Sequence, residues 1–170
     1  MTSQDVVTFT GSATTGKMLK AHENITNESV PFNMEADSLN CCVLGEDVNP
    51  GSVEFDIFIK EVQKEMTVKA GQKCTAIRRI IVPANKLEDV QIALGQRLAK
   101  TTIGDPSVEG VRMGSLAGLE QREEVKEKVL ELSKSQDIVY GDLNNFDVLG
   151  ADKEKGAFLA PILFLNEDPF

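Results

Sequence analysis

The sequence predicts a three-layer αβα domain of the α/β class with a mostly parallel sheet. Runs rich in β-branched and aromatic residues alternate with helical runs along most of the 170 residues. The apolar positions of the helical runs recur at the three- and four-residue spacing of an amphipathic helix. A hydrophobic content of 41% with 26% charged residues is ordinary for a globular domain of this length.

The chain opens with a strand, a turn rich in small residues, and a helix. Residues 6–10 are β-branched and aromatic, which favours a strand, and the helix is predicted at 17–22. Amides at such a helix start can hold a phosphate. The glycine spacing fits neither the dinucleotide-binding nor the Walker pattern, so an ordinary turn with Ser12 or Thr14 as N-cap stays open. A short extended run follows at 30–34.

The middle of the chain carries the clearest helical pattern. Residues 39–44 are apolar and predict a short buried segment. Five apolar residues then fall on one face of a helix over 55–66, which Gly71 ends. The run at 77–82 is rich in isoleucine and predicts a strand, which Pro83 terminates.

The second half continues the alternation of helices and strands. A leucine-rich face predicts a helix over 86–100, and a charged helix is predicted over 119–134. A strand is predicted at 137–140, and a strand interrupted by proline at 157–165. The residues expected to point inward from the charged helix are Val125, Val129 and Leu132.

Charge and composition exclude several classes of function. A net charge of −9 is unsuited to binding nucleic acid, which needs clustered basic residues. No apolar run is long enough to span a membrane, and residues 1–5 lack a signal sequence. Three cysteines form no disulfide framework and indicate a reducing, cytoplasmic setting. With one histidine, His22, in a charged surface stretch, we expect no metal site.

Cys74 is the best candidate for a reactive group. A nucleophilic cysteine must be available as a thiolate near neutral pH, which requires a pKa below the ordinary value of about 8.5. Lys73 is adjacent and supplies positive charge, and Gly71 allows close approach of the backbone to a ligand. Cys41 and Cys42 lie in an apolar run, where we expect small buried hydrophobic side chains.

Three ordered segments, Phe9-Thr10-Gly11-Ser12, Met34-Glu35 and Gly71-Gln72-Lys73-Cys74, resemble motifs of the aldehyde dehydrogenase superfamily. Residues 71–74 (Gly-Gln-Lys-Cys) resemble its nucleophile segment. Residues 9–12 (Phe-Thr-Gly-Ser) resemble its turn at the cofactor pyrophosphate, which Gly11, Ser12 and Gly16 would contribute here. Met34-Glu35 resembles its Leu-Glu, whose glutamate is the general base. The resemblance covers essentially the whole chain.

Two features depart from the usual pattern of the superfamily. Glu35 is followed by Ala36-Asp37-Ser38 instead of Leu-Gly-Gly, and 39 residues separate Glu35 from Cys74, which is a long spacing. Both features are similar to the aldehyde dehydrogenase part of the bifunctional proteins of phenylacetate degradation. Those proteins pair ring-opening hydrolysis of an oxepin-CoA with oxidation of the resulting semialdehyde.

The resemblance implies covalent catalysis on a small-molecule aldehyde, with NAD or NADP as cofactor and NADP favoured. Cys74 would attack the carbonyl, and Glu35 would activate the water that releases the acid. The superfamily's oxyanion asparagine and first cofactor-binding units are expected before residue 9. Its Glu-x-Phe-Gly-Pro motif is expected after residue 170. We therefore interpret the chain as a fragment of a homo-oligomeric enzyme, with the tail of the cofactor domain at 1–35 and the catalytic domain at 36–170.

Two alternatives stay open at this point. A coenzyme A-acylating aldehyde dehydrogenase would keep Cys74 but transfer the thioester to coenzyme A, and the presence of Glu35 argues against it. A non-catalytic acidic α/β interaction domain would use its cysteines structurally. In that case Cys74 would be no more reactive than Cys41 or Cys42.

The fragment interpretation predicts that the 170-residue chain alone does not oxidise aldehydes, because it would lack part of the cofactor site and an oxyanion donor. The measurement is the formation of reduced nicotinamide by the purified chain with an aldehyde and NAD or NADP. Turnover that depends on both aldehyde and cofactor would show this prediction to be wrong.

Overall fold

The computed structural model describes residues 1–167. The last three positions of the predicted catalytic domain, 168–170, lie outside the described residues. The chain divides into two compact units, Met1–Leu39 and Asn40–Phe170, called the first and second units below. The predicted α/β class is confirmed, since helices alternate with strands and two of the three strand pairs are parallel. The predicted domain boundary after residue 35 stays a prediction.

The first unit is a parallel pair of strands with a helical crossover. Its elements are β1 (Val7–Gly11), α1 (Ala13–Lys20), α2 (Glu23–Asn27) and β2 (Phe32–Ala36). Both predicted extended runs are confirmed with shifts of one or two residues. The helix begins four residues earlier than predicted, because Ser12 Oγ accepts a hydrogen bond from the Thr15 amide at 3.3 Å and caps it.

Close packing of α1 on the strands depends on Gly16. A Cβ at this buried position would come within 2.2 Å of Met34 Sδ and 3.2 Å of Phe9 Cδ1. The next helix, α2, begins at Glu23 and is preceded by His22, which is exposed as predicted. Its Nδ1 accepts a hydrogen bond from the Asn24 amide at 3.2 Å, so this histidine serves as a helix cap.

Up to residue 167, the second unit contains two further strand pairs and three α-helices. Its elements are β3 (Asn40–Val43), α3 (Val53–Thr67), β4 (Ile77–Ile81), α4 (Leu87–Leu98), α5 (Leu119–Leu132), β5 (Asp137–Tyr140) and β6 (Leu163–Leu165). Strands β3 and β4 pair in parallel, and β5 and β6 pair antiparallel. None of the helices within the described residues has the length and apolarity that crossing a bilayer requires.

The larger hydrophobic cluster of the second unit lies between α3, α4 and one face of the β3–β4 pair. Its buried members are Leu44, Phe55, Phe58, Ile59, Val62, Val90, Leu94 and Leu98. Cys42 and Ile80 pack against it from the strands. Because side chains alternate along a strand, Cys41 and Val43 point to the other face and are exposed. The prediction that Cys41 is buried is therefore wrong.

Two predictions near the C-terminal end are also wrong. Val129 of α5 is buried, but Val125 and Leu132 are 40% and 42% exposed, because this helix is covered along a narrow strip of its surface. The strand predicted at 157–165 is limited to Leu163–Leu165. Pro161 has no amide hydrogen for a strand ladder, which explains why the preceding segment is buried but irregular.

Leu94 provides a test of this core. It is fully buried, so Leu94→Ala should lower the free energy of unfolding by about 2–5 kcal/mol through lost burial and the cavity left behind. Ile92 is 51% exposed on the same helix, and Ile92→Ala is the matched control with an expected change below about 1 kcal/mol. The measurement is urea unfolding of the three chains. Equal losses for the two variants would contradict the assigned core.

Candidate active site

Cys74 lies in an exposed turn that joins the end of α3 to the start of β4. The turn spans residues 73–76 and is called the Cys74 turn below. It is closed by a hydrogen bond from the Ala76 amide to the Lys73 carbonyl at 3.1 Å. Ala76 is fully buried, whereas Cys74 is an exposed thiol. A buried residue thus anchors the turn while its cysteine faces solvent.

The chain enters this turn through three consecutive residues with left-handed backbone. Lys69, Ala70 and Gly71 have φ angles of 54°, 53° and 71°. Gly71 is buried, and a Cβ there would lie 3.2 Å from the Met66 carbonyl oxygen, so a side chain is disfavoured by both conformation and space. Helix α3 itself ends at Thr67, before the glycine that was expected to end it.

Asn40 holds the Cys74 turn from the start of β3. Its side-chain Nδ2 donates to the Cys74 carbonyl at 2.6 Å and to the Ala76 carbonyl at 3.2 Å. Sequence reasoning missed this residue, because an asparagine before an apolar run gives no sign of a partner 34 positions away. Since both amide hydrogens point to backbone carbonyls, Asn40 supports the turn and does not face a substrate.

Gln72 explains the second position of the Gly-Gln-Lys-Cys segment. Its Nε2 donates to the Lys69 carbonyl at 3.0 Å, which stabilises the left-handed run. Its Oε1 accepts a hydrogen bond from the Ala117 amide, also at 3.0 Å. Gln72 therefore links the approach to the Cys74 turn with the irregular segment that precedes α5.

Lys73 is engaged in an ion pair of low exposure. Its Nζ lies 2.6 Å from Glu65 Oε1 on α3, and the two side chains are 24% and 15% exposed. The negative charge of Glu65 therefore offsets the positive charge that Lys73 was expected to supply next to Cys74. Sequence reasoning missed Glu65, which looks like one of several surface acids on the helix.

Cys41 and Cys42 serve as comparisons within the same unit. Burial, and then the neighbouring Cys41, raise the pKa of the Cys42 thiol above its ordinary value. This thiol should therefore react slowly. Cys41 is exposed, like Cys74, but lies on a strand in register with Arg79. It is the natural internal standard for any measurement of Cys74 reactivity.

Glu35 lies in the first unit at the end of β2. Its carboxylate is exposed, and the residue pairs in register with Thr10 of β1. Two positions later, Asp37 has a φ of 52°. Asp37 Oδ2 accepts a hydrogen bond from the Ala13 amide at 3.2 Å, which fixes the segment after Glu35 to the start of α1.

The three predicted cofactor residues lie around the start of α1. Gly11 and Ser12 are exposed where β1 ends and the helix begins, an arrangement that suits a phosphate group. Gly16 is buried one turn further, so any effect it has on a ligand would act through packing of the helix. In the part of the chain that the structure describes, no cluster of three or more His, Cys, Asp or Glu side chains is arranged to hold a metal ion.

A cavity of about 570 Å³ lies elsewhere in the second unit. Among the residues that line it are Ile103, Tyr140, Asp142, Phe146 and Leu149. Burial raises the pKa of Tyr140, and hydrogen bonds from the Asn144 and Asn145 amides lower that of Asp142. Cys74 is not among the lining residues, so this cavity does not enclose the candidate nucleophile.

Comparisons with known proteins agree on one family. The sequence profile of the aldehyde dehydrogenase family matches residues 2–169. A 3,4-dehydroadipyl-CoA semialdehyde dehydrogenase of Aromatoleum evansii is 43% identical over 163 residues, which cover 96% of this chain and 32% of that protein. The chain thus spans about a third of the length of the curated relatives it matches.

Solved structures support the same fold. Betaine aldehyde dehydrogenase of Staphylococcus aureus, in complex with NAD⁺, superposes with a TM-score of 0.82 at 24% identity, covering 96% of this chain and 31% of that one. A variant of aldehyde dehydrogenase C from Pseudomonas syringae, in complex with NAD⁺ and octanal, gives 0.78 at 22% identity, covering 94% and 31%.

The role of Asn40 can be tested by removing its amide. Asn40→Ala should lower the free energy of unfolding by about 1–3 kcal/mol, because two carbonyls of the Cys74 turn lose their donor. Hydrogen exchange of the Ala76 amide should accelerate with it. Asn49, whose side chain makes one long bond of 3.5 Å on the surface, gives the matched control Asn49→Ala. Unchanged exchange at Ala76 would contradict the assignment.

Proposed function

The chain belongs to the aldehyde dehydrogenase family, and from that membership we propose that its parent protein oxidises an aldehyde to a carboxylic acid through a thioester on Cys74. The observation that carries the proposal is the Gly-Gln-Lys-Cys segment. It lies in an exposed turn whose backbone is held by Asn40 and Gln72. A nucleophile needs both access to its substrate and a fixed position.

The thiolate of Cys74 attacks the aldehyde carbonyl and forms a thiohemiacetal. Sulfur suits both halves of the reaction, since it attacks readily and leaves well from a thioester. The backbone N–H of Cys74 is the proposed donor from this chain to the oxyanion that forms. Hydrogen bonds fix the backbone on either side of this amide. The Gln72 side chain donates to the Lys69 carbonyl before it, and the Asn40 side chain donates to the Cys74 carbonyl after it.

Gly11 and Ser12 are the residues that would hold a dinucleotide pyrophosphate. They are exposed at the N-terminus of α1, where the helix dipole and amide donors favour negative charge. A bound nicotinamide dinucleotide supplies the acceptor for the hydride. Both NAD and NADP are candidates: the two solved relatives named above are complexes with NAD⁺, whereas the sequence reading favours NADP.

Glu35 is the proposed general base for release of the acid. An exposed carboxylate can take a proton from water as the water attacks the thioester. Asp37 holds the backbone just beyond it, which limits the positions that Glu35 can take. An enzyme that transfers the thioester to coenzyme A would not need a base to activate water. The two activities are distinguished by their products, which are the free acid and the acyl-CoA.

The proposed substrate is a semialdehyde linked to coenzyme A. The Aromatoleum evansii relative is named for such a substrate. The residues after Glu35 and the spacing from Glu35 to Cys74 also resemble the dehydrogenase part of the phenylacetate-degradation proteins. We place the reaction in the cytoplasm, in line with the three reduced cysteines, and expect the whole enzyme to be a homo-oligomer.

The test compares two variants of the parent enzyme. Cys74→Ser should lower kcat/KM for aldehyde oxidation by about a thousandfold or more, because the nucleophile is lost. Glu35→Gln should lower turnover by about 10²–10⁴-fold but leave the first burst of reduced nicotinamide, since the thioester still forms. Cys41→Ser, at an exposed cysteine outside the proposed chemistry, is the control and should retain activity.

Three results would overturn the proposal. An active Cys74→Ser variant would remove the assigned nucleophile. Loss of the burst in Glu35→Gln would place Glu35 before thioester formation. Formation of acyl-CoA instead of free acid as the product would favour the acylating enzyme.

A further inference from the structure

We propose that Glu65 sets the reactivity of Cys74 by compensating the charge of Lys73. This inference rests on the proposed function of Cys74 as a nucleophile and adds a residue that acts on it through a neighbour. Glu65 would therefore be a positioning residue: its carboxylate holds the Lys73 ammonium against α3 and offsets the positive charge of the residue that precedes Cys74. The cysteine then stays a moderate nucleophile in the isolated chain.

The geometry of the pair is specific. Glu65 Oε1 lies 2.6 Å from Lys73 Nζ, and both side chains are largely removed from solvent. Its second oxygen, Oε2, is buried and has no hydrogen-bond partner among the described residues. One carboxylate oxygen thus pairs with Lys73, and the other is removed from water. A pair in this setting holds the ammonium in one place.

Stability alone is a weak reason for such a pair. Removing two charges from water is costly, and replacing a buried ion pair by apolar residues is often neutral or stabilising. A carboxylate oxygen without a partner adds to the cost. The ion pair at Glu61 and Lys64 on the same helix is exposed, with side chains 44% and 51% accessible, and bears no such cost.

Three other basic residues lie on the segments that flank Cys74 in sequence. Lys69 belongs to the left-handed run, and the Arg78 guanidinium lies beside Gly71, where a Cβ would come within 3.6 Å of Nη1. Arg79 follows on β4 and pairs in register with Cys41. Lys73 is adjacent to Cys74 in sequence, so an uncompensated ammonium on Lys73 would favour the thiolate at this position.

Two variants separate compensation of charge from mechanical support. Glu65→Gln keeps the size of the side chain but leaves the Lys73 charge uncompensated, so alkylation of Cys74 should become about threefold faster or more. Adding Lys73→Met to this variant removes the uncompensated charge and should return the rate to within about twofold of the wild type. A loosened turn would not be restored by losing a second anchor.

The experiment uses the full 170-residue chain near neutral pH, where the thiolate fraction limits the rate. Alkylation by iodoacetamide is followed by mass spectrometry at Cys74, with Cys41 as internal standard in the same sample. Glu61→Gln, in the exposed pair, is the matched control and should change neither cysteine. The anionic reagent iodoacetate reports the local potential: its rate relative to iodoacetamide at Cys74 should rise in Glu65→Gln.

The outcomes decide in either direction. Unchanged or slower alkylation in Glu65→Gln, or a double variant that stays fast, would overturn the proposal. Should circular dichroism show that the variants are unfolded, the wild-type chain still decides. Compensated charge predicts an iodoacetate-to-iodoacetamide rate ratio at Cys74 within about twofold of that at Cys41, and a severalfold higher ratio at Cys74 would contradict it. Aldehyde oxidation is not measured, so a failed enzyme assay and a failed proposal stay distinguishable.

Discussion

The candidate active site of the second unit depends on the left-handed run Lys69–Ala70–Gly71. This run connects the end of α3 to the segment that leads into β4. Cys74 lies exposed between the buried residues Gly71 and Ala76. The conformation is natural for glycine but costs about 1–2 kcal/mol for each other residue. Two such residues persist only where surrounding contacts determine the backbone, as is common at functional sites.

Those contacts come from separate parts of the chain. Gln72 bonds the Lys69 carbonyl, Asn40 bonds the Cys74 and Ala76 carbonyls, and Glu65 holds Lys73. Asn40 is half-buried and Glu65 is largely covered, whereas Gln72 is exposed but is held by hydrogen bonds from both ends of its amide. Ala76, at the end of the turn, is buried and leads directly into β4, which pairs in parallel with β3. The exposed candidate nucleophile thus precedes a strand, β4, that packs against the hydrophobic cluster between α3 and α4.

The helices, strands and motif positions follow from local patterns, and these are the parts that sequence predicts well. The face of α3 with Phe55, Ile59 and Val62 is confirmed because a helix must bury its apolar stripe. Asn40 and Glu65 could not be predicted, since their partners are distant in sequence: Asn40 bonds carbonyls 34 and 36 positions away, and Glu65 pairs with a lysine eight positions away. Exposure of Cys41 and Val125 also escaped prediction, because composition does not reveal which side of an element is covered.

Both candidate catalytic residues, Glu35 and Cys74, lie close in sequence to non-glycine residues with left-handed backbone. Among residues 1–167, the four non-glycine residues with left-handed φ are Ser29, Asp37, Lys69 and Ala70. Three of them lie within five positions of Glu35 or Cys74. Asp37 stands where the superfamily pattern leads one to expect glycine, and aspartate tolerates this conformation better than most residues. Its carboxylate accepts a hydrogen bond from the Ala13 amide, and this contact helps to hold the left-handed backbone that a glycine would adopt without strain. The departure from the motif therefore preserves the turn after Glu35, just as Gln72 and Asn40 preserve the turn around Cys74.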